Sequence, residues 1–153
     1  MNKTAENIIN LFNDVRASSL KRFRLVPEGK ENWRITDNKM RITDIVQHLI
    51  ECDKWMIEKL KNPDLKAIDG VVDSVIISAR EEYEDLLNEL EEILQPKILA
   101  VKNLTYWEFD KIIPDDRFDK KVNIWYSIVR GNIDHEVHHL GQISAYLQIM
   151  KLK

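Results

Sequence analysis

His135-Glu136-Val137-His138-His139-Leu140-Gly141-Gln142 lies inside a run from about Val122 to Ile149 whose apolar residues recur with helical period. Residues four apart on an α-helix are about 40° apart around its axis, so His135 and His139 project from one face. At 100° per residue, Ile128, Asn132 and Gln142 fall on the same face, which makes it a stripe expected to be buried. Buried polar side chains need partners, and a divalent cation between two imidazoles would supply one.

Three further segments show the same period. The first runs from about residue 3 to 23, with Ile8, Leu11, Phe12, Val15, Ser19 and Leu20 in one stripe, and Pro27-Glu28-Gly29 breaks it. The second runs from about Thr43 to Leu60, with Thr43 or Asp44 as N-cap and Ile45, Leu49, Cys52, Trp55 and Met56 facing inward. The third is expected over Val72 to Leu94, ended by Pro96. Its face carrying Glu81, Glu82, Glu84, Asp85, Glu89, Glu91 and Glu92 reads as solvated. Connections of about residues 24–41 and 96–121 remain, long enough to be functional or to carry short elements of their own. Val101, Tyr106, Trp107 and Phe109 make the second aromatic enough to cover one end of a bundle. The expected fold is all-α: a four-helix bundle with long crossover connections, forming one domain over residues 1–153.

Four glycines and four prolines suit long uninterrupted helices. A net charge of −3 argues against a general nucleic-acid binder, and the basic stretch from Arg16 to Arg24 reads as solvated surface. A single cysteine excludes an internal disulfide framework and fits a reducing compartment. No run of about 18 apolar residues suggests a membrane span, and residues 1–7 lack the apolar core of a secretory signal. The expected location is the cytoplasm.

His48 sits in the apolar stripe of the second helix. Alone it reads as a hydrogen-bonded core residue, but beside the late pair it becomes a candidate third ligand. Three neutral imidazoles at about 2.0–2.1 Å would leave a metal's other positions open to water or substrate, as in a catalytic site. His138 is off the face and reads as a neighbour of the ligands or a surface residue. Cys52, one turn after His48, is a conceivable thiolate ligand but reads more simply as a small buried side chain. Asp44, Trp55, Asn132 and Gln142 are candidates to line the cavity, and Gly141 would permit close approach of another backbone.

His135-Glu136-Val137-His138-His139 also matches H-E-x-x-H, in which the glutamate is the general base of a zinc protease. The remainder of that pattern is missing. Gln142 and Ala145 stand where the extended form needs Gly and His, and residues 140–153 contain no Asp or Glu for the shorter form. Glu136 remains a candidate base on bound water without the protease context.

Trp33-Arg34, then Ile42-Thr43-Asp44-Ile45-Val46-Gln47-His48-Leu49, then the late histidine run resemble the DinB/YfiT-like superfamily of bacterial metalloproteins in order and over nearly the whole length. The family's usual Arg before the glycine is Leu140 here, which leaves the ligand positions intact. The resemblance implies a four-helix bundle with an unusual chain path, frequent homodimers, and a metal site formed by His48, His135 and His139. It implies nickel or zinc as the metal, and in some members group transfer or isomerisation of small-molecule substrates using a low-molecular-weight thiol. Alternatives are a non-catalytic metal or small-ligand binding protein, and a helical interaction protein whose histidines are incidental.

Overall fold

The computed structural model describes residues 1–151. Helix α1 spans Lys3–Arg24, with the Asn2 side chain accepting from the backbone N–H of Ala5 as N-cap. Helix α2 spans Ile42–Lys61, α3 Arg80–Glu92 and α4 Leu94–Lys102. A 3₁₀ turn at Tyr106–Asp110 and a two-residue antiparallel strand pair, β1 (Ile112–Ile113) with β2 (Val122–Asn123), lead to the last rod. That rod is α5 (Ile124–Ile128), a π-helical turn (Val129–Ile133) and α6 (Asp134–Lys151). The third rod is α3 and α4 joined at Ile93, so the bundle has four rods and an all-α architecture.

The chain path departs from simple up-and-down order. Helices α1 and α2 each pack on α3, α4, the π turn and α6, but not closely on each other. The first two helices therefore occupy opposite corners, and residues 25–41 cross between them. No helix of the described residues is long and apolar enough to cross a membrane.

Three expectations are corrected. Residues 72–79 are not the start of the third helix, which begins only at Arg80. Their backbone groups are taken by distant side chains: Asp44 accepts from the N–H groups of Asp73 and Val75, Thr43 donates to the Val75 carbonyl, and Asn32 pairs with both polar groups of Ile77. Asp73 also sits at φ 61, which no helix tolerates. Pro96 does not end a helix but lies in the first turn of α4, where its missing N–H costs nothing. The N-cap of α2 is Arg41, and the Asp44 carboxylate reaches back to the Arg41 N–H from inside the first turn.

The core is divided. One apolar half gathers Leu20, Phe23, Ile45, Leu49, Tyr83, Leu87 and Ile143; the other gathers Ile8, Phe12, Met56, Val101, Phe109, Ile113 and Ile128. Of the residues that make that connection aromatic, Phe109 enters the core beside Val101, while Tyr106 and Trp107 stay exposed. Between the halves lies a layer of charge. Arg16, expected at the surface, is 1% exposed. Its guanidinium donates to both oxygens of Glu136 (2.8 and 3.0 Å), to Asp53 (2.5 Å) and to the Leu90 carbonyl (2.6 Å). Lys97 donates to the other oxygen of Asp53 at 2.8 Å, and Ser19 to Glu136 at 2.9 Å. Two cations thus face two carboxylates, with contributions from α1, α2, α4 and α6. Burial alone would raise the Asp53 carboxyl; the neighbouring Lys97 and Arg16 outweigh it and hold it below its ordinary range.

Candidate metal centre

His48 comes from the second turn of α2, and His135 and His139 from the first turns of α6. The charge layer fixes the two helices where they face each other, since Asp53 and Glu136 belong to it and lie close to the histidines in sequence. The three rings meet nearly at right angles, with interplanar angles of 82°, 84° and 87°. The Nε2 of His135 lies 3.2 Å from the Nε2 of His48 and 3.2 Å from the Nε2 of His139.

One Nε2 carries either one hydrogen or one lone pair, so it makes at most one well-directed hydrogen bond. Here it faces two nitrogens at the same distance, and a hydrogen bond satisfies only one of those contacts. A cation placed among three lone pairs satisfies both. For metal–nitrogen bonds of 2.0–2.1 Å, tetrahedral geometry puts the nitrogens about 3.3 Å apart, close to the separations seen. The donor set therefore fits a divalent transition metal.

The tautomer of His139 follows from its neighbours. Its Nδ1 lies 2.9 Å from Gln142 Oε1, the Gln142 amide nitrogen donates to Tyr146 at 3.1 Å, and the Tyr146 hydroxyl donates to the Met40 carbonyl at 3.4 Å. Because Tyr146 gives its proton to Met40, it must accept from the Gln142 amide, which leaves Gln142 Oε1 to accept from His139 Nδ1. The Nε2 of His139 then presents a lone pair, as a metal ligand must.

Burial, with repulsion from the neighbouring imidazoles, pushes His135 down to about 3. Burial also dominates at His139, which is lowered to about 4, and at His48, which is lowered. All three are neutral at pH 7, so an arriving cation displaces no proton from them. The sign of the pH effect follows. Between the ordinary histidine value near 6.5 and these depressed values, the unfolded chain binds protons that the folded chain refuses. Stability must fall on acidification through that window. The chelator-treated protein is expected to unfold at lower urea at pH 5 than at pH 7; a midpoint that is flat or higher at pH 5 would contradict this.

A cavity of about 460 Å³ opens beside the histidines. His48, Cys52, Trp55 and His135 form its inner wall, Ala67 to Gly70 one side, and Arg117, Phe118 and Gly131 the other. Arg117, on the connection before β2, is the principal residue that sequence reasoning missed. It is held bidentately by Asp115 (2.9 and 2.6 Å), donates to the Gly131 carbonyl at 2.6 Å, and lies 4.4 Å from the centre of the Trp55 ring. A methyl group at Gly131 would meet the Arg117 guanidinium, so any larger residue there would force that side chain to shift.

The other candidates separate. Trp55 lines the cavity and donates through its indole N–H to the Lys66 carbonyl. Cys52 lines it too, half-buried, with its thiol pushed up to about 12 by burial. Gln142 supports His139 from behind, and His138 is exposed beside it, its ring centre 5.2 Å away. Asn132 is buried near Asp53, and its Oδ1 meets no hydrogen-bond partner among the described residues. Asp44 does not line the cavity. Its carboxylate accepts from Arg41, Asp73, Ser74 and Val75, and those bonds hold it below its ordinary range against the opposing effect of burial. Glu136 is not positioned as a base, since Arg16 and Ser19 hold it in the charge layer. Nothing approaches Gly141 closely.

A bundle of four rods, two of them broken, around a possible His/Cys/His metal-binding group is what the geometry defines. The sequence profile of the DinB family matches residues 1–150, and the chain belongs to that family. A crystal structure of a DinB-like protein from Bacillus subtilis is similar in fold, with a TM-score of 0.69 at 16% identity, covering 95% of this chain and 92% of that one. No curated protein matches the chain.

Proposed function

We propose that this DinB-family chain is a metal-dependent enzyme whose His48, His135 and His139 hold a divalent transition metal, nickel or zinc, and that it acts on a small molecule as a thiol-dependent S-transferase. The observation that carries the reading is that His135 Nε2 lies 3.2 Å from the Nε2 of both His48 and His139, with His48 and His135 at the wall of a cavity. When bound, the cation would supply Lewis acidity, lowering the pKa of a thiol or water at its open position. The chain's own residues do the rest. Gln142 and Tyr146 orient His139, Trp55 and Phe118 offer apolar walls to the body of an electrophile, and Arg117 fixes the far side. The reading carries with it a homodimer in a reducing, cytoplasmic compartment.

The test is turnover of a model electrophile with low-molecular-weight thiols, before and after chelation. Thiol-dependent turnover that disappears with chelator and returns with zinc or nickel is expected. Rates indifferent to chelator, or absent with every thiol, would overturn the enzymatic reading. A second reading, a non-catalytic metal-binding protein, is favoured by the capture of two carboxylates on the histidine helix in ion pairs: Glu136 by Arg16, and Asp134 by Arg130. Tight metal binding with no turnover would support it.

A further inference from the structure

We infer that Cys52 is a fourth protein ligand of the metal centre, completing three imidazoles with one thiolate; the inference rests on the three-histidine reading above. Two helices face each other here, and each offers a pair of donors one turn apart: His48 and Cys52 on α2, His135 and His139 on α6. An i, i+4 pair presents both side chains to one side of its helix, so two facing pairs bring four donors together.

The distances suit this arrangement. A ligand atom from each of His48, Cys52 and His135 lies within 4.8 Å of the others. The Cys52 sulfur is 3.6 Å from His48 Nε2. With a metal–nitrogen bond of about 2.0 Å and a metal–sulfur bond of about 2.3 Å, tetrahedral geometry separates the two donors by roughly 3.5 Å. The same sulfur is 3.8 Å from His48 Nδ1, which puts it alongside the ring, so ligation requires it to turn forward about the Cα–Cβ bond.

The surroundings offer no better role. His48 is 6% exposed, and among the described residues its ring nitrogens meet only the His135 nitrogen and this sulfur. A buried imidazole without a carbonyl, hydroxyl or carboxylate is an unmet acceptor or donor. Cys52 is not packed away as a small apolar group either, because it faces the cavity beside His48 and His135. On ligation the S–H bond breaks, a sulfur–metal bond forms and the proton passes to solvent, as happens to a coordinating thiol. The thiolate would tilt the donor set toward zinc and away from hard oxygen-seeking cations. It would also place a movable protein sulfur between the metal and the cavity, so the position used in the proposed function opens only when that sulfur leaves the metal and regains a proton.

Cobalt(II), titrated anaerobically into the metal-free full chain, is the probe. The chain has one cysteine, so a thiolate-to-cobalt charge-transfer band in the near ultraviolet must come from Cys52. The expected result is that band, saturating together with visible bands of tetrahedral intensity, and its loss in Cys52→Ala while the visible bands persist. Cys52→Ser, checked by circular dichroism, serves if the alanine variant does not fold. Stoichiometric cobalt uptake without the charge-transfer band would overturn the inference and leave the three-histidine reading standing. Absence of uptake would overturn both.

Discussion

His135→Ala is expected to abolish tight divalent-cation binding. His135 is the shared vertex of the centre, with its Nε2 at 3.2 Å from each of the other two. Without it, His48 and His139 remain as rings whose centres are 5.3 Å apart. Small zinc sites bind with roughly 10–16 kcal/mol, so losing one of three imidazoles forfeits about 3–5 kcal/mol, or about two to four orders of magnitude in affinity. Competition against a chromophoric chelator measures this directly. Thermal unfolding measures it again: saturation at about a thousand times Kd stabilises by about 4 kcal/mol, roughly 8–16 °C for a chain of this size. That rise is expected in the native protein and absent in the variant. Unchanged affinity for both zinc and nickel would refute the site.

Arg16→Met is expected to be the most damaging substitution for stability. The guanidinium donates four hydrogen bonds inside the core, three of them to carboxylates. Methionine fills similar space but leaves Glu136 with only Ser19 and the more distant Lys97 ammonium at 3.8 Å, and Asp53 with Lys97 as its one cation. Breaking a buried pair from one side typically costs about 3–5 kcal/mol, because a desolvated charge is left uncompensated. Urea unfolding should show a loss of that size, with Arg16→Lys intermediate between the two. A loss under about 1 kcal/mol would mean the layer is not load-carrying in the folded state. The same change should weaken cation binding, since the layer holds α2 and α6 in register.

Much of this was legible in the sequence, and the reasons are local. The i, i+4 spacing of His135 and His139 and the period of the first two helices depend only on helix geometry. The fold class followed from them. Residues 72–79 misled because Val72, Val75, Ile76 and Ala79 keep helical spacing, while Asp44 and Asn32, about thirty or more residues earlier, take the backbone groups a helix would use. The π turn was invisible as well, and it shifts α5 out of the phase that a uniform 100° step assumes. Arg117 sits on an irregular connection whose shape no period encodes. The charge layer did leave a signal. Arg16 and Ser19 share the stripe of Phe12, Leu20 and Phe23, Asp53 that of Leu49 and Met56, and Lys97 that of Leu94 and Val101. Charges in phase with apolar stripes on several helices, with opposite signs available, mark partners rather than solvated faces.

Asp44 serves two segments at once: its carboxylate closes the first turn of the helix bearing His48, and it also secures residues 73–75, just downstream of the cavity wall at Ala67 to Gly70. Fraying at either segment therefore weakens the other. By thermodynamic reciprocity, a molecule that orders the 67–75 segment must tighten the hold of that helix on its imidazole, and a cation bound there must in turn quieten the segment.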